Sequence, residues 1–407
     1  MDRSRRDFLR AAVTSALGAP LLGACAAGGA GVADGGPGDA AECPATDPGA
    51  AADQTVFQGY AALAELPEFE LDCHGRLRCT VEGLDALDVH THLAFYWMRA
   101  PRPDLLAATE RVHYYIDCDG ADPPCTVDLD EYANQCATST MLADMDADIL
   151  SAWSTDGSPV TATHTIPNLL AEMDAAGIRR AVVLPIAMGL TEGDSQTTDW
   201  LEAIAQAGAQ ERLIPFGSVH PSDPDKLTKL RAYANLGCVG LKLHPSNQRI
   251  YADDAATMEL YPECERLGLP VLLHSGRAGI EPPSVQPFNE ISHFVAPAHD
   301  FPNVQFVLAH AGARLDWEAA LTLAKEAPNV WLDLAGPGLG PMRTLLAELG
   351  PERLLFGTDW PFYPEAYALA KALIVTRDDP RVRGLILRDN ADRLLFGGEA
   401  FPARDLR

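Results

Sequence analysis

From residue 165 onward the chain alternates amphipathic helix patterns with apolar strand patterns, and that rhythm limits the architectures open to it. "TIPNLLAEMDAAG" reads as a helix stopped by Gly177, and "IRRAVVLPIA" as the strand after it. The strand patterns "LIPFGSVHP", "CVGLKLHP", "LPVLLHSG", "VQFVLAHAG", "NVWLDLAG" and "RLLFGTDWP" follow, each preceded by a helical stretch. With "LDALDVHTHL" (84–93) placed first, there are eight strands. Apolar strands separated by helices predict a parallel sheet covered by helices. Eight such units point to an α/β fold, the TIM (β/α)8 barrel, over an open sheet. No glycine-rich dinucleotide loop follows any strand, which weakens the open-sheet alternative.

One segment breaks the rhythm. Residues 94–164 separate the first strand from the next helix, far more than the few residues of an ordinary βα loop. The segment carries Trp97, His113, Tyr114, Tyr115 and three cysteines. A loop after the first barrel strand lies over the catalytic face, so 94–164 is expected to be a disulfide-pinned lid shaping a substrate pocket.

The ends of the chain are of another kind. Residues 1–25 combine a charged start, a short apolar run and "LLGAC", which is too short to span a bilayer and has the build of an export signal. Arg5, Arg6, Phe8 and Leu9 resemble a twin-arginine signal, and Leu22 to Cys25 resembles a bacterial lipobox. The resemblance implies cleavage before Cys25, lipid on its thiol and a protein anchored on the periplasmic side of a membrane. Residues 26–60 are expected to be a flexible Ala/Gly/Pro linker, with 61–400 forming the barrel domain. Export fits the cysteines. Cys43, Cys73, Cys79, Cys118, Cys125 and Cys136 are expected to be disulfide partners, with Cys73–Cys79 and Cys118–Cys125 the simplest local pairs. Cys238 and Cys264 read as small buried hydrophobes. The formal charge of −26 argues against a nucleic-acid partner.

Polar residues collect where the strands end. Asp88, His90 and His92 are spaced two apart, a spacing that puts them on one face of a regular strand. Lys242 and His244 end the fourth strand, His274 the fifth, His310 the sixth and Asp359 the eighth. All lie at C-terminal strand ends, the catalytic face of such a barrel. Imidazoles and a carboxylate buried together there would be costly to desolvate without a cation, and a bound divalent metal explains them jointly. His220, in "GSVHP", is read as a satisfied polar group at a strand end. Asp333 either faces the same mouth or caps a loop.

The stretches "DVHTHL", "GLKLHP", "LLHSG", "VLAHAG" and "LLFGTDWP", spread over residues 84–361, resemble the amidohydrolase superfamily. The match is to its amidohydrolase-related (amidohydrolase 2) branch of metal-dependent hydrolases and zinc-dependent decarboxylases. The resemblance implies that His90, His92, His274 and Asp359 bind one divalent ion, zinc first among the candidates. His310 beside it would be a catalytic acid or base, and Asp359 would both bind the metal and move protons. Lys242, His244, Arg277 and Trp360 are candidates for substrate contact, Lys242 for a substrate carboxylate rather than as a carbamylated bridge between two metals. Asp88 would support the ligands from behind. The expected reaction is attack of a metal-activated water on an amide, ester or lactone. Non-oxidative decarboxylation is the alternative, and an inactive lipid-anchored binding protein a third reading. The expected partners are a small-molecule substrate, with a carboxylate among the candidates, and a membrane reached through Cys25; homodimerisation is left open.

Overall fold

Eight parallel strands close into a ring at the centre of the computed structural model, which describes residues 54–73 and 75–397. They are β1 (Ala86–Thr91), β2 (Ile178–Val183), β3 (Leu213–Pro215, continued by Gly217–Ser218), β4 (Leu241–Leu243), β5 (Val271–His274), β6 (Phe306–Ala309), β7 (Val330–Asp333) and β8 (Leu354–Leu355). Each is paired in parallel with the next from β1 to β8. The ring closes between β1 and the chain following β8. There Val89 N donates to Phe356 O (2.9 Å), Asp359 N to His90 O (2.8 Å) and His92 N to Trp360 O (2.7 Å). The predicted eight strands and the barrel are therefore present.

The Asp88 carboxylate holds this seam. One oxygen accepts from His90 N (2.8 Å) and Thr358 N (3.1 Å), and the other from the Thr358 hydroxyl (2.5 Å). Burial pushes its pKa well up, and the bonds from Thr358 and His90 oppose that rise.

Alternation along β1 differs from the simple reading. Leu87 and Val89 join an apolar cluster with Val182, Ile214, Leu272, Val307, Trp331 and Leu355, drawn from around the ring, so this cluster fills the lumen. By alternation Asp88 leaves the lumen and turns into the barrel wall. A register shift between Asp88 and Thr91 then interrupts the period of two. The three polar residues thus do not share one face as a regular strand would require.

Helices cover the outside. Ile166–Ala176 begins with Pro167 in its first turn and ends at Gly177, whose φ of +70° lets its N–H reach Met173 O. Its Leu169 and Met173 are fully buried, each contributing roughly 1.5–3 kcal/mol of apolar burial. The last helix, Asn390–Phe396, packs Ala391 and Phe396 under the lumen cluster, and its Asp392 pairs with Arg180 (3.5 Å). It closes the end opposite the mouth.

The segment after β1 is folded. It holds a helix, Ser139–Ser151, capped by the Thr138 hydroxyl, which accepts from Met141 N (3.2 Å). The rings of Phe95, Trp97 and Trp153 stack in series at 5.3 and 4.9 Å. Its strand Thr126–Asp128 pairs antiparallel with Val56–Gln58. Residues 56–60, assigned from sequence to the linker, are thus part of the fold, with Phe57 and Tyr60 buried. Both are large apolar residues in a segment that Ala, Gly and Pro dominate only before them. The signal region, Cys25 and Cys43 lie outside the described residues. Among those described, no helix is long and apolar enough to cross a membrane.

The cysteines divide unevenly. Cys118–Cys125 form the expected disulfide, and Cys238 and Cys264 are buried free thiols as anticipated. Cys73 is disulfide-bonded, but Cys79 and Cys136 are free. The Cys73–Cys79 pairing fails on hairpin geometry. Cys79 stands opposite Phe69, and Cys73 lies four residues farther along that strand, at the turn. At about 3.4 Å per residue that separation exceeds the reach of a disulfide.

Replacing Thr358 by valine keeps its volume and leaves a buried Asp88 oxygen without its hydroxyl donor. The expected cost is about 2 kcal/mol, read as a lower urea midpoint at unchanged slope. An unchanged midpoint would show that the seam does not depend on this bond.

Candidate metal centre

His90 Nδ1 lies 2.6 Å from Asp333 Oδ2, whose other oxygen accepts from Ala335 N (2.8 Å). Asp333 is thus both a partner in the mouth and a loop cap. Gly357 lets the two side chains approach, since a Cβ there would fall 2.1 Å from Asp333 Oδ1. His92 Nδ1 donates to Leu184 O (2.7 Å), and His310 Nδ1 to Ala335 O (2.8 Å). A carbonyl only accepts, so these bonds fix the tautomers of His92 and His310 with Nε2 bare. An ionised Asp333 does the same for His90.

The bare atoms then face each other. His90 Nε2 and His92 Nε2 are 3.2 Å apart, and Asp359 Oδ1 lies 3.3 and 3.4 Å from them. The donor atoms of His90, His310 and Asp359 lie within 4.8 Å of one another. Three lone-pair atoms this close, with no proton between them, repel unless a cation sits among them. Protonation is not the remedy: burial holds the His90, His92, His274 and His310 rings below the usual imidazole range. The donor set therefore fits a divalent metal.

His274 enters through a neighbour. Its Nδ1 is 3.1 Å from His310 Nε2, its ring stacks on His244 at 4.1 Å, and its buried Nε2 has no hydrogen-bond partner among the described residues. His244 is held by Ser246 Oγ (3.3 Å) and Asn247 N (3.5 Å), both against its Nδ1. Lys242 is fully buried, and its ammonium likewise has no hydrogen-bond partner among the described residues. Burial lowers its pKa to about 8, while Asp359 and Asp333 act to raise it.

Two substrate-contact expectations meet a different arrangement. Arg277 is engaged by Asp316 (2.9 and 2.6 Å) and Glu290 (3.5 Å), so its guanidinium is not a free anion anchor. Trp360 is wholly buried, with its ring T-shaped to His164 at 5.9 Å. His220 is a satisfied strand-end residue, bonded to Gln248 O (2.9 Å) and to Ser222. Asp88 supports β1 through His90 N and the N–H and hydroxyl of Thr358, and among the described residues its carboxylate has no hydrogen bond to an imidazole ring.

The segment after β1 adds residues that no motif marked. Tyr132 lies against Gly336, three residues beyond Asp333, with its hydroxyl in the field of Asp359 and Asp333. Ala133 N donates to Gly336 O (2.9 Å) and Asn134 Nδ2 to Ala278 O (3.3 Å). The segment is therefore tied to the loops after β5 and β7. Phe95 sits 5.1 Å from the His92 ring and lines a cavity of about 320 Å³ with Pro101, Pro103, Ala152 and Pro159.

Backbone strain marks the same place. His310 and Asp359 have φ of +62° and +61°, and Ala311 and Ala313 are also left-handed. Each such residue costs on the order of 1–3 kcal/mol and persists where its surroundings enforce it.

Asp333→Ala frees the His90 ring to change tautomer. Affinity for added Zn2+ is expected to fall about 10- to 100-fold, read by competitive chelator titration of the folded protein. Unchanged affinity would remove Asp333 from any role in the site.

The comparisons with known proteins agree with this geometry. A family model described as Amidohydrolase (Amidohydro_2) matches residues 87–397. The uncharacterized protein y4mH of Sinorhizobium fredii is 24% identical over 228 residues, covering 51% of this chain and 75% of that protein. Among solved structures, 5-carboxyvanillate decarboxylase LigW from Sphingomonas paucimobilis is 20% identical with a TM-score of 0.51, covering 77% of this chain and 99% of its own. The uncharacterized TIM-barrel protein Bb4693 from Bordetella bronchiseptica is 22% identical with a TM-score of 0.50, covering 59% and 85%. These likenesses bear on the fold. The family model spans the barrel from its first strand to its closing helix, and the chain belongs to the Amidohydrolase family of enzymes, Amidohydro_2.

Proposed function

We propose that the chain is a metal-dependent hydrolase acting on an amide, ester or lactone. The observation that carries this reading is the trio of donor atoms on His90, His92 and Asp359, 3.2–3.4 Å apart, which the ring tautomers leave bare when Asp333, its pKa raised to about 7 by burial, is ionised. His274 is proposed as a further ligand, through its side facing the cluster. A divalent ion held there, Zn2+ in this proposal, supplies Lewis acidity to a water and to a substrate carbonyl.

The remaining work falls to the side chains. Asp359 takes the proton of the attacking water. His310, with Nδ1–H committed to Ala335 O, has only Nε2 available, and in its neutral form that atom accepts rather than donates. It takes the proton from Asp359, and as an imidazolium it neutralises the developing oxyanion before passing the proton to the leaving group. The buried ammonium of Lys242 is proposed to bind a carboxylate on the substrate, which would supply the partner it lacks.

The same Lys242 favours a second reading. A substrate carboxylate drawn toward the donor cluster could be lost as carbon dioxide, with one proton taken up from solvent, through Asp359 and His310, delivered to the carbanion left behind. Turnover of an ester, lactone and aryl-carboxylate panel by zinc-loaded protein in 18O-water separates the two. Hydrolysis places 18O in the product acid; carbon dioxide release without 18O in the organic product would overturn hydrolysis in favour of decarboxylation. His310→Ala should lower kcat by at least about 100-fold in either case.

Lys242→Met removes the charge and keeps the length. KM for a carboxylate-bearing substrate is expected to rise about tenfold or more, with a neutral analogue unaffected. Equal effects on both would assign Lys242 to packing.

A further inference from the structure

Away from the donor cluster, the segment after β1 gathers three sulfurs. The Sγ atoms of Cys118, Cys125 and Cys136 all lie within 4.8 Å of one another, yet only Cys118 and Cys125 are bonded. Cys136 keeps a free, half-buried thiol, which donates to Ala133 O (3.2 Å) and touches the Tyr60 hydroxyl (3.8 Å). That hydroxyl also donates to Ile116 O (3.1 Å), two residues before Cys118, so one tyrosine holds the thiol beside the bridge.

We propose that Cys136 forms a thiol–disulfide exchange site with the Cys118–Cys125 bridge. Whichever sulfur is attacked, the step balances. The Cys136 sulfur, having lost its proton, forms a new S–S bond; the Cys118–Cys125 bond breaks; and the displaced cysteine leaves as a thiolate that takes up a proton. One disulfide and one thiol stand on each side, so no oxidant or reductant is consumed. Burial raises the Cys136 pKa, which keeps the resting thiol protonated and the exchange slow.

The location gives the exchange a consequence. Cys136 ends the turn Ala133–Cys136, directly after Tyr132. Ala133 and Asn134 of that turn bond to Gly336 O and Ala278 O at the mouth, and Lys371 Nζ donates to the same Gly336 O (3.0 Å). Drawing the Cys136 sulfur into covalent contact with Cys118 or Cys125 shifts this turn and, with it, Tyr132. The bridge in use therefore alters the wall of the mouth.

The test uses the full chain with thiols alkylated before digestion and peptides mapped without reduction. Incubation with a trace of reduced glutathione is expected to move part of the alkyl label from Cys136 to Cys118 or Cys125 and to produce a bridged peptide containing Cys136. Cys136→Ser should lose that product and keep only the Cys118–Cys125 bridge. Cys118→Ser, oxidised with glutathione disulfide, should form Cys125–Cys136. Wild-type protein whose label stays wholly on Cys136, together with a folded Cys118→Ser variant whose Cys125 and Cys136 both stay alkylatable after oxidation, would overturn the proposal. Should Cys118→Ser fail to fold, Cys125→Ser reads the same question through Cys118–Cys136, and the wild-type map stands independently of both.

Discussion

The seam between β1 and the chain after β8 is the constraint on which the site depends. Three backbone hydrogen bonds and the Asp88 carboxylate join residues almost 270 positions apart in sequence. Closing the ring there removes the barrel's last sheet edges and sets His90 and His92 against Asp359 in one operation. The left-handed backbone at Asp359 is enforced by the same bonds, since its N–H is held by His90 O and its carbonyl by Phe362 N. A weaker seam would let the strained residue relax and the donor atoms separate.

The cluster at the mouth is held in tension by burial. Neutral imidazoles, a buried ammonium and two carboxylates share a small volume with few solvent contacts, and several of their polar atoms face lone pairs or nothing. Such a set is expensive unless a cation and a ligand complete it. The segment after β1 supplies part of the enclosure, with Tyr132 and Asn134 tied to the loops beyond β7 and β5. Ala133 N and the Asn134 side chain make those ties, while the Cys118–Cys125 disulfide closes within the segment and does not clip it to the barrel.

Much of this was legible in the sequence because it rests on local pattern. Eight apolar runs between helices define the barrel, and histidines or aspartate at their ends mark one face of it. What escaped depends on partners distant in sequence. The register shift in β1 has no local signature, so the shared face of Asp88, His90 and His92 was an extrapolation from ideal alternation. Arg277 reads as an anion anchor until Asp316, 39 residues later, folds against it. Trp360 follows a catalytic-looking aspartate and is wholly buried beside His164. Asp333 stood between two readings, and only the proximity of His90 shows that it serves both. Tyr132 and Asn134 belong to no motif, and nothing short of the fold would have placed them at the mouth.

The way each imidazole is oriented has an evolutionary consequence. His92 and His310 are steered by main-chain carbonyls of Leu184 and Ala335, groups that every amino acid carries. Substitution at those positions leaves the steering atom in place, so their orientation is insulated from sequence drift. Of these three, His90 alone is steered by a side chain, and Asp333 is therefore a point at which a single codon change can retune the donor strength of the cluster. A lineage seeking a different metal or a different acidity has a dial to turn there, while the orientation of His92 and His310 is written into the backbone.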